Sequence, residues 1–170
     1  PGGRTIVRND QTHPAGNDRN LDLWPIGNCQ ASALIDRVGR IIWACVPRVD
    51  GDPVFSALLD EKGWDDPDAH GFWAIELENC VTVEQHYIRN TPILVTRQSD
   101  DHGNAIELYD FCPRHRHLGR MYRPVAFCRI IRPVAGSPRV RVRLRPTTSW
   151  HSEQVPISYG SNHIRLVLSY

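Results

Sequence analysis

The sequence predicts an all-β domain in which two mainly antiparallel sheets pack as a two-layer sandwich with one short helical turn. About nine short segments are apolar or alternate between apolar and polar residues, and turn signals separate them at short intervals. Helical spacing occurs only at residues 53–60, where Asp52 is the expected N-cap and Pro53 the first helical residue. At 170 residues, with 41% hydrophobic and 23% charged residues, the chain is long enough for one globular domain.

The predicted strands follow one another with recognisable turns between them. The first two are joined by a turn at residues 36–39, in which Gly39 can take a positive φ. Residues 139–145 alternate arginine with valine or leucine, which is typical of a half-buried strand; its arginines are expected either to pair with acids across the sheet or to form an interface with another domain. In chain order, the predicted strands are residues 33–35, 40–46, 72–78, 81–87, 93–97, 105–109, 124–132, 139–145 and 164–168.

Two segments of different composition define the predicted domain organisation. Residues 1–20 are polar and rich in glycine, proline and asparagine, so we expect a poorly ordered arm. Residues 21–170 carry all the predicted strands and form the predicted sandwich domain.

Charge and cysteine content exclude several classes of protein. The net charge of +1 argues against a nucleic acid or a membrane surface as partner, since both favour a strong basic excess. No apolar run approaches the ~18 residues of a spanning helix. The five cysteines are expected to be free thiols in a reducing compartment, which predicts a cytoplasmic protein; one disulfide is the alternative. No motif indicates a cofactor or a metal.

A series of short motifs occurs along the chain in a defined order. They are Gly27-Asn28, Ala33-Leu34-Ile35, Gly39-Arg40-Ile41 with Trp43, Cys45-Val46-Pro47-Arg48, Phe55 with Leu58-Leu59, Arg89-Asn90-Thr91 and Asp110-Phe111-Cys112-Pro113. Their order and spacing resemble the start of bacterial family-15 glycoside hydrolases, the glucoamylase- and trehalase-like enzymes. The resemblance runs from about Leu21 to the last residue.

The resemblance implies an N-terminal β-sandwich domain, similar to a supersandwich but incomplete. Its implied partner is a helical (α/α)6 barrel of the same polypeptide, absent from this chain, whose two glutamates would hydrolyse α-glucosidic bonds with inversion. The sandwich itself would be non-catalytic, would support the barrel and would shape the entrance of its pocket for an α-glucoside substrate. A free-standing carbohydrate-binding module and a structural assembly domain are the alternatives, and exposed strand edges favour a dimer.

The candidate site residues are not catalytic ones. Arg48 and Asp50 follow the apolar strand 40–46, and they either pair with each other at the surface or face the barrel. Trp43 lies within the predicted strand 40–46 and is expected in the core, because tryptophan buries much apolar area. With the resemblance, the expected pocket or inter-domain loop comprises Trp43, Pro47, Arg48, Asp50, Asp110 and Arg114.

Aromatic, histidine and acidic residues give further hypotheses. Trp64 and Trp150 lie in predicted loops, where an indole can stack on a sugar ring; the alternative is that each covers a core edge or meets another domain. His115 and His117 resemble a zinc pair without a third ligand nearby, so residues 114–123 are expected to form a polar loop. The acidic stretch 60–68 is expected to be a solvated loop.

Overall fold

The computed structural model describes residues 4–7, 21–60, 62, 66–148, 150 and 153–167. Its strands, numbered in chain order, are β1 Arg4–Val7, β2 Trp24–Gly27, β3 Ser32–Ile35, β4 Ile41–Cys45, β5 Pro53–Phe55, β6 Phe72–Leu77, β7 Thr82–Tyr87, β8 Leu94–Ser99, β9 Ala105–Phe111, β10 His115–His117, β11 Arg120–Tyr122, β12 Cys128–Ala135, β13 Val140–Arg145, β14 Thr147–Thr148, β15 Glu153–Gln154, β16 Ile157–Tyr159 and β17 Ile164–Leu166. A 3-10 helix spans Ala57–Leu59.

Two antiparallel sheets form the sandwich. The first sheet has the strand order β1-β7-β8-β9-β12. The second has the order β13-β6-β4-β3-β2, with β5 beside β4. Three two-stranded ribbons, β10–β11, β14–β15 and β16–β17, lie outside these sheets. The predicted all-β, two-layer, antiparallel class is therefore confirmed.

The core lies between the two sheets and continues on the outer face of the second. Ile35 and Ile41 of the second sheet share a buried cluster with Leu94 of the first. Ile75 of the second sheet packs in the same way with Ile106 of the first. A separate cluster on Ile42 and Phe72 is covered by the 3-10 helix segment, since Ala57 belongs to it. Because side chains alternate along a strand, Ile41 faces the first sheet and its neighbour Ile42 faces the 3-10 helix segment.

The helical prediction for residues 53–60 is wrong in its first half. Pro53–Phe55 is the strand β5, and the helix begins only after Ser56. Phe55 pairs with Ala44 of β4 and is buried in the interlayer core, so strand pairing and burial outweigh the weak preference of an isolated helical turn.

Further segments differ from the sequence prediction, among them β2 Trp24–Gly27, which was not predicted, the strand predicted at 124–132, which is Cys128–Ala135, and two segments expected to lack strands. Within the expected polar arm of residues 1–20, Arg4–Val7 forms β1 and pairs with β7 at the edge of the first sheet. Within the expected polar loop 114–123, β10 and β11 form a hairpin. These three strands, β1, β10 and β11, are short and carry charged residues, so none of them has the apolar alternation that predicts a strand.

The turn between β3 and β4 is held by the opposite sheet. Gly39 has φ +90°, and a Cβ at this position would lie 3.1 Å from Thr96 Cγ2, so both the backbone and the space favour glycine. Three side chains of the first sheet donate hydrogen bonds to carbonyl oxygens of this turn: Gln85 to Asp36 (3.0 Å), Gln98 to Val38 (3.1 Å) and Arg129 to Gly39.

Glu76 on β6 lies between two arginines. Its Oε1 accepts from Arg40 Nη2 at 2.9 Å, and its Oε2 accepts from Arg143 Nη2 at 2.8 Å. The latter contact confirms, at that position, the expected pairing of the arginine row with a cross-strand acid. Burial by itself raises the pKa of Glu76, but the two guanidinium groups outweigh it, so this pKa lies below its ordinary value of 4.5.

The lowered pKa of Glu76 predicts a loss of stability in acid. The ionised carboxylate stabilises the fold fully above pH 4.5, and this contribution disappears as the pH falls through the lower pKa of the folded state. We therefore expect Glu76→Gln to reduce the free energy of unfolding at neutral pH and to lose that difference in acid. Urea unfolding from about pH 7 to about pH 3 measures it. The exposed Glu78→Gln is the control, and an equal effect of both variants at neutral pH would contradict this account.

No helix among the described residues is long and apolar enough to cross a membrane.

Candidate functional site

An apolar cavity of about 260 Å³ opens beside the second sheet. Val46, just after β4, and Val125, in the segment that leads into β12, lie on its wall. It therefore joins the loop with the candidate residues Arg48 and Asp50 to the segment that follows the β10–β11 hairpin. The wall consists of Val46, Val54, Phe55, Trp73, Val125, Ala126, Phe127, Leu144, Pro146 and Leu166.

The loop after β4 carries a forked ion pair. Arg48 Nε donates to Asp50 Oδ1 at 2.9 Å, and Arg48 Nη2 donates to Asp50 Oδ2 at 2.7 Å. The two side chains are 74% and 63% exposed, and the preceding Val46–Pro47 peptide bond is cis. The hydrogen bonds from Arg48 hold the pKa of Asp50 below its usual range. The loop thus presents to solvent an arginine and a carboxylate that bind each other in bidentate geometry. An arginine fork of this kind can also bind the carboxylate or hydroxyl groups of a ligand.

Trp150 lies against the same loop. Its backbone N–H donates to Asp52 Oδ1 at 3.0 Å, which brings it within two residues of Asp50. The side chain is 62% exposed, and the backbone has φ +54°, a conformation that bulky residues rarely adopt. An exposed indole can stack on a sugar ring or meet another protein surface. The second predicted stacking residue, Trp64, lies outside the described residues.

Trp43 occupies the middle of β4, opposite Leu34 of β3. It is half-buried, whereas Ile42 and Ala44 on either side are buried. Trp43 therefore has part of its surface accessible, and its role as a pocket or inter-domain residue stays a prediction.

Asp110 lies inside the sandwich. Its side chain and that of Arg129 have no exposed surface, and Arg129 Nε donates to Asp110 Oδ1 at 2.7 Å. Arg129 also donates to the carbonyl oxygen of Trp73 at 2.6 Å and to that of Gly39, both in the second sheet. Its guanidinium carbon lies 5.3 Å from the centroid of the Trp73 ring. The pair therefore ties the two sheets together.

Arg129 was missed by the sequence analysis. It lies in the apolar run Cys128-Arg129-Ile130-Ile131, where an arginine is a signal for a carboxylate partner. Its partner Asp110 lies on the neighbouring strand and cannot be identified from spacing alone.

Asn28 joins two of the motifs that carry the resemblance. Its Nδ2 donates to the carbonyl oxygens of Pro113 and Pro124, both at 2.8 Å. Its Oδ1 accepts from the backbone N–H groups of Gln30 and Ala31, both at 2.9 Å. The side chain is 2% exposed, so its hydrogen-bonding capacity is used within the fold.

Arg114 stands at the start of the arginine hairpin, the name used here for residues 114–123. Its Nη1 lies 3.4 Å from Cys29 Sγ, in the turn held by Asn28. His115 and His117 have ring centroids 6.5 Å apart, and His115 meets Tyr122 edge-on at 5.1 Å. Val46, two residues before Arg48, and Val125, which follows the arginine hairpin, both line the cavity, so the two segments lead to it.

The cavity wall offers shape and apolar contact without acid–base groups. Glycoside hydrolysis generally uses a pair of carboxyl groups that flank the scissile bond, and the wall residues include none. Among the described residues, no group of three or more histidine, cysteine or acidic side chains could hold a metal ion. All five cysteines are free thiols.

Comparison with known proteins gives a consistent family. A family model described as trehalase-like, N-terminal, matches residues 19–169. A trehalase of Thermoplasma volcanium is 34% identical over 91 residues, which cover 52% of this chain and 14% of that protein. Trehalase 2 of Sulfolobus acidocaldarius is 34% identical over 82 residues, which cover 48% of this chain and 13% of that protein. No solved structure matches the chain.

The matched segments span only about one-seventh of these two relatives, so their activity belongs to much longer polypeptides. The family model, by contrast, covers most of this chain. The chain therefore belongs to the family of trehalase-like N-terminal domains.

Proposed function

We propose that this chain is the non-catalytic N-terminal domain of a glucoamylase- or trehalase-like glycoside hydrolase. Its implied partner is a helical catalytic domain of the same polypeptide that hydrolyses α-glucosidic bonds with inversion. The observation that carries the proposal is the family match over residues 19–169. The apolar cavity wall, which has no carboxyl pair, supports a non-catalytic role.

The loop surface gives the domain a specific task. Arg48 and Asp50 form an exposed pair in the loop between the strands β4 and β5, and the backbone of the exposed Trp150 is bonded to Asp52 of the same loop. Such a group can contact the catalytic domain near its pocket entrance, because loops on a rigid scaffold commonly carry binding residues. The free cysteines are compatible with the expected cytoplasmic location, which remains part of the proposal.

Substitution in the whole polypeptide tests this task. We expect Arg48→Ala and Trp150→Ala each to lower kcat/KM for trehalose or a maltooligosaccharide at least about tenfold, because a misplaced pocket edge disturbs substrate orientation. Both side chains are exposed, so the melting temperature should change by no more than about 2 °C.

Arg139→Ala is the matched control for these variants. This exposed arginine lies in the turn between β12 and β13, at the end of β9 and β12 that is remote from the hairpin. It should leave both kcat/KM and melting temperature unchanged. Equal small effects of all three substitutions on turnover would refute the pocket-edge role.

A carbohydrate-binding module is the second candidate, and the exposed Trp150 favours it. This alternative predicts that the chain alone binds trehalose, maltose or starch, and that Trp150→Ala removes the binding. Titration calorimetry separates the two functions, because a purely supporting domain releases no binding heat with these sugars.

Association of two copies also remains a proposal. It is supported by β12, which lies at one edge of the first sheet and exposes Ile130 and Ile131. Light scattering at high protein concentration should give a mass above that of one chain; a monomeric mass argues against association.

A further inference from the structure

The arginine hairpin concentrates positive charge on a projecting ribbon. Residues 114–123 contain Arg114, Arg116, Arg120, Arg123 and two histidines, and no acidic residue. The whole chain has a net charge of only +1, so this segment departs sharply from the average. All residues of β10 and β11 are exposed, and the ribbon pairs with neither of the two large sheets.

The base of the hairpin is fixed although its strands are exposed. The two carbonyl groups that receive Asn28 Nδ2 belong to Pro113 and Pro124, the residues directly before and after the arginine hairpin. One buried amide therefore clamps both legs of the ribbon to the turn after β2. A clamp of this kind sets the direction in which the ribbon leaves the sandwich.

Leu118, at the tip of the hairpin, is an unusual residue for the left-handed backbone conformation found there. Leu118 and Gly119 have φ +48° and +74°, and the pairing of His117 with Arg120 closes a two-residue turn of the I′ kind. Asparagine, aspartate or glycine is preferred at both positions, since a left-handed backbone is unfavourable with a branched apolar side chain. Leu118 is nevertheless 89% exposed, so within this chain its side chain gains almost no burial.

The composition of the ribbon indicates the kind of partner. Met121 and Tyr122 are exposed beside the arginines, and arginine, methionine and tyrosine are enriched at protein–protein interfaces. Arginine forks match carboxylates, and protein–protein interfaces commonly surround an apolar core with a polar rim. The net charge of the chain, only +1, argues against a nucleic acid as the partner.

We propose that the arginine hairpin is a docking element that inserts Leu118 into an apolar pocket rimmed by carboxylates on the catalytic part of the same polypeptide. This inference rests on the proposed function, since it requires that catalytic part. The clamp by Asn28, the charge of the ribbon and the strained, exposed tip each follow from this single role.

Site-specific photo-cross-linking in the whole polypeptide tests the docking directly. A benzophenone amino acid replaces Leu118 in one variant and Arg139, in the turn between β12 and β13, in the control. We expect the probe at position 118 to form intramolecular cross-links to an acid-rich segment outside residues 1–170, at a yield several-fold above the control. Cross-links only within residues 1–170, only between two copies, or at the control yield would overturn the proposal.

Leu118→Gly provides a second readout that separates docking from folding. Glycine relieves the left-handed backbone, so the melting temperature of the 170-residue chain should stay constant or rise. In the whole polypeptide the same change should speed proteolytic separation of the domain several-fold, as should the charge reversals Arg116→Glu and Arg120→Glu. Unchanged proteolysis in all three variants contradicts docking.

Activity of the unmodified polypeptide keeps the two proposals distinguishable. If it hydrolyses an α-glucoside but position 118 gives no cross-links outside the domain, the docking proposal alone fails. If the whole polypeptide hydrolyses no α-glucoside, the proposed function fails, whatever the cross-linking result.

Discussion

Arg129→Ala is expected to lower the free energy of unfolding by about 3–5 kcal/mol, because it leaves a buried carboxylate without its counter-charge. Asp110 and Arg129 have no exposed side-chain surface, and Arg129 also holds carbonyl oxygens of Trp73 and Gly39 in the other sheet. The substitution therefore removes the tie between the layers as well as the ion pair. Urea unfolding followed by tryptophan fluorescence measures the change.

The matched control is an exposed pair on the same sheet. Arg97 and Glu107 approach to 3.4 Å on neighbouring strands β8 and β9, with side chains 44% and 20% exposed. Arg97→Ala should cost only about 0–1 kcal/mol, because water screens such pairs. In the double variant Asp110→Leu with Arg129→Met, much of the lost stability should return, since no unpaired charge remains. Equal costs for Arg129→Ala and Arg97→Ala would contradict the buried tie.

Asn28→Ala is expected to cost about 3 kcal/mol, because it leaves several polar backbone groups without partners at a site that water barely reaches. The lost partners are the carbonyl groups of Pro113 and Pro124 and the N–H groups of Gln30 and Ala31. Faster hydrogen exchange at Gln30 and Ala31 should accompany the loss of stability. Unfolding in urea and amide exchange by NMR measure the two effects.

A further variant separates the two roles of Asn28, which holds the turn through its side-chain oxygen and the hairpin through its amide nitrogen, and a second variant is the control. Asn28→Asp keeps the oxygen that accepts from the turn but loses the amide that clamps the hairpin, so the hairpin should loosen while the turn amides stay protected. Gln30→Ala alters an exposed neighbour and should change stability by less than about 0.5 kcal/mol. Protection of the turn that is lost equally in all three variants would contradict this division.

The fold was predictable at several strands that bury one face. The predicted strands 72–78, 81–87 and 139–145 lie within one residue of the observed Phe72–Leu77, Thr82–Tyr87 and Val140–Arg145. Burial of one face imposes an apolar–polar alternation that can be read locally. Residues 53–55 misled the prediction, because proline after aspartate is also a helix-start signal and only the pairing with β4 decides between the two structures.

The candidate site was predictable only in part, because its contacts join distant parts of the chain. Arg48 and Asp50 are two positions apart, so their pairing could be expected from the sequence. The bond from Trp150 to Asp52 spans 98 positions, and that from Asn28 to Pro113 spans 85. Such contacts depend on how the sheets stack, which local patterns do not contain.

The most direct test of the central claim is the release of glucose from trehalose or maltose by the purified 170-residue chain and by the whole polypeptide. The account predicts that the chain alone releases none, whereas the whole polypeptide releases glucose of which only the unit attacked by water is initially the inverted β anomer; trehalose then gives one β-glucose and, as the leaving group, one α-glucose. Glucose release by the 170-residue chain itself, at a rate comparable with that of the whole polypeptide, would contradict the account.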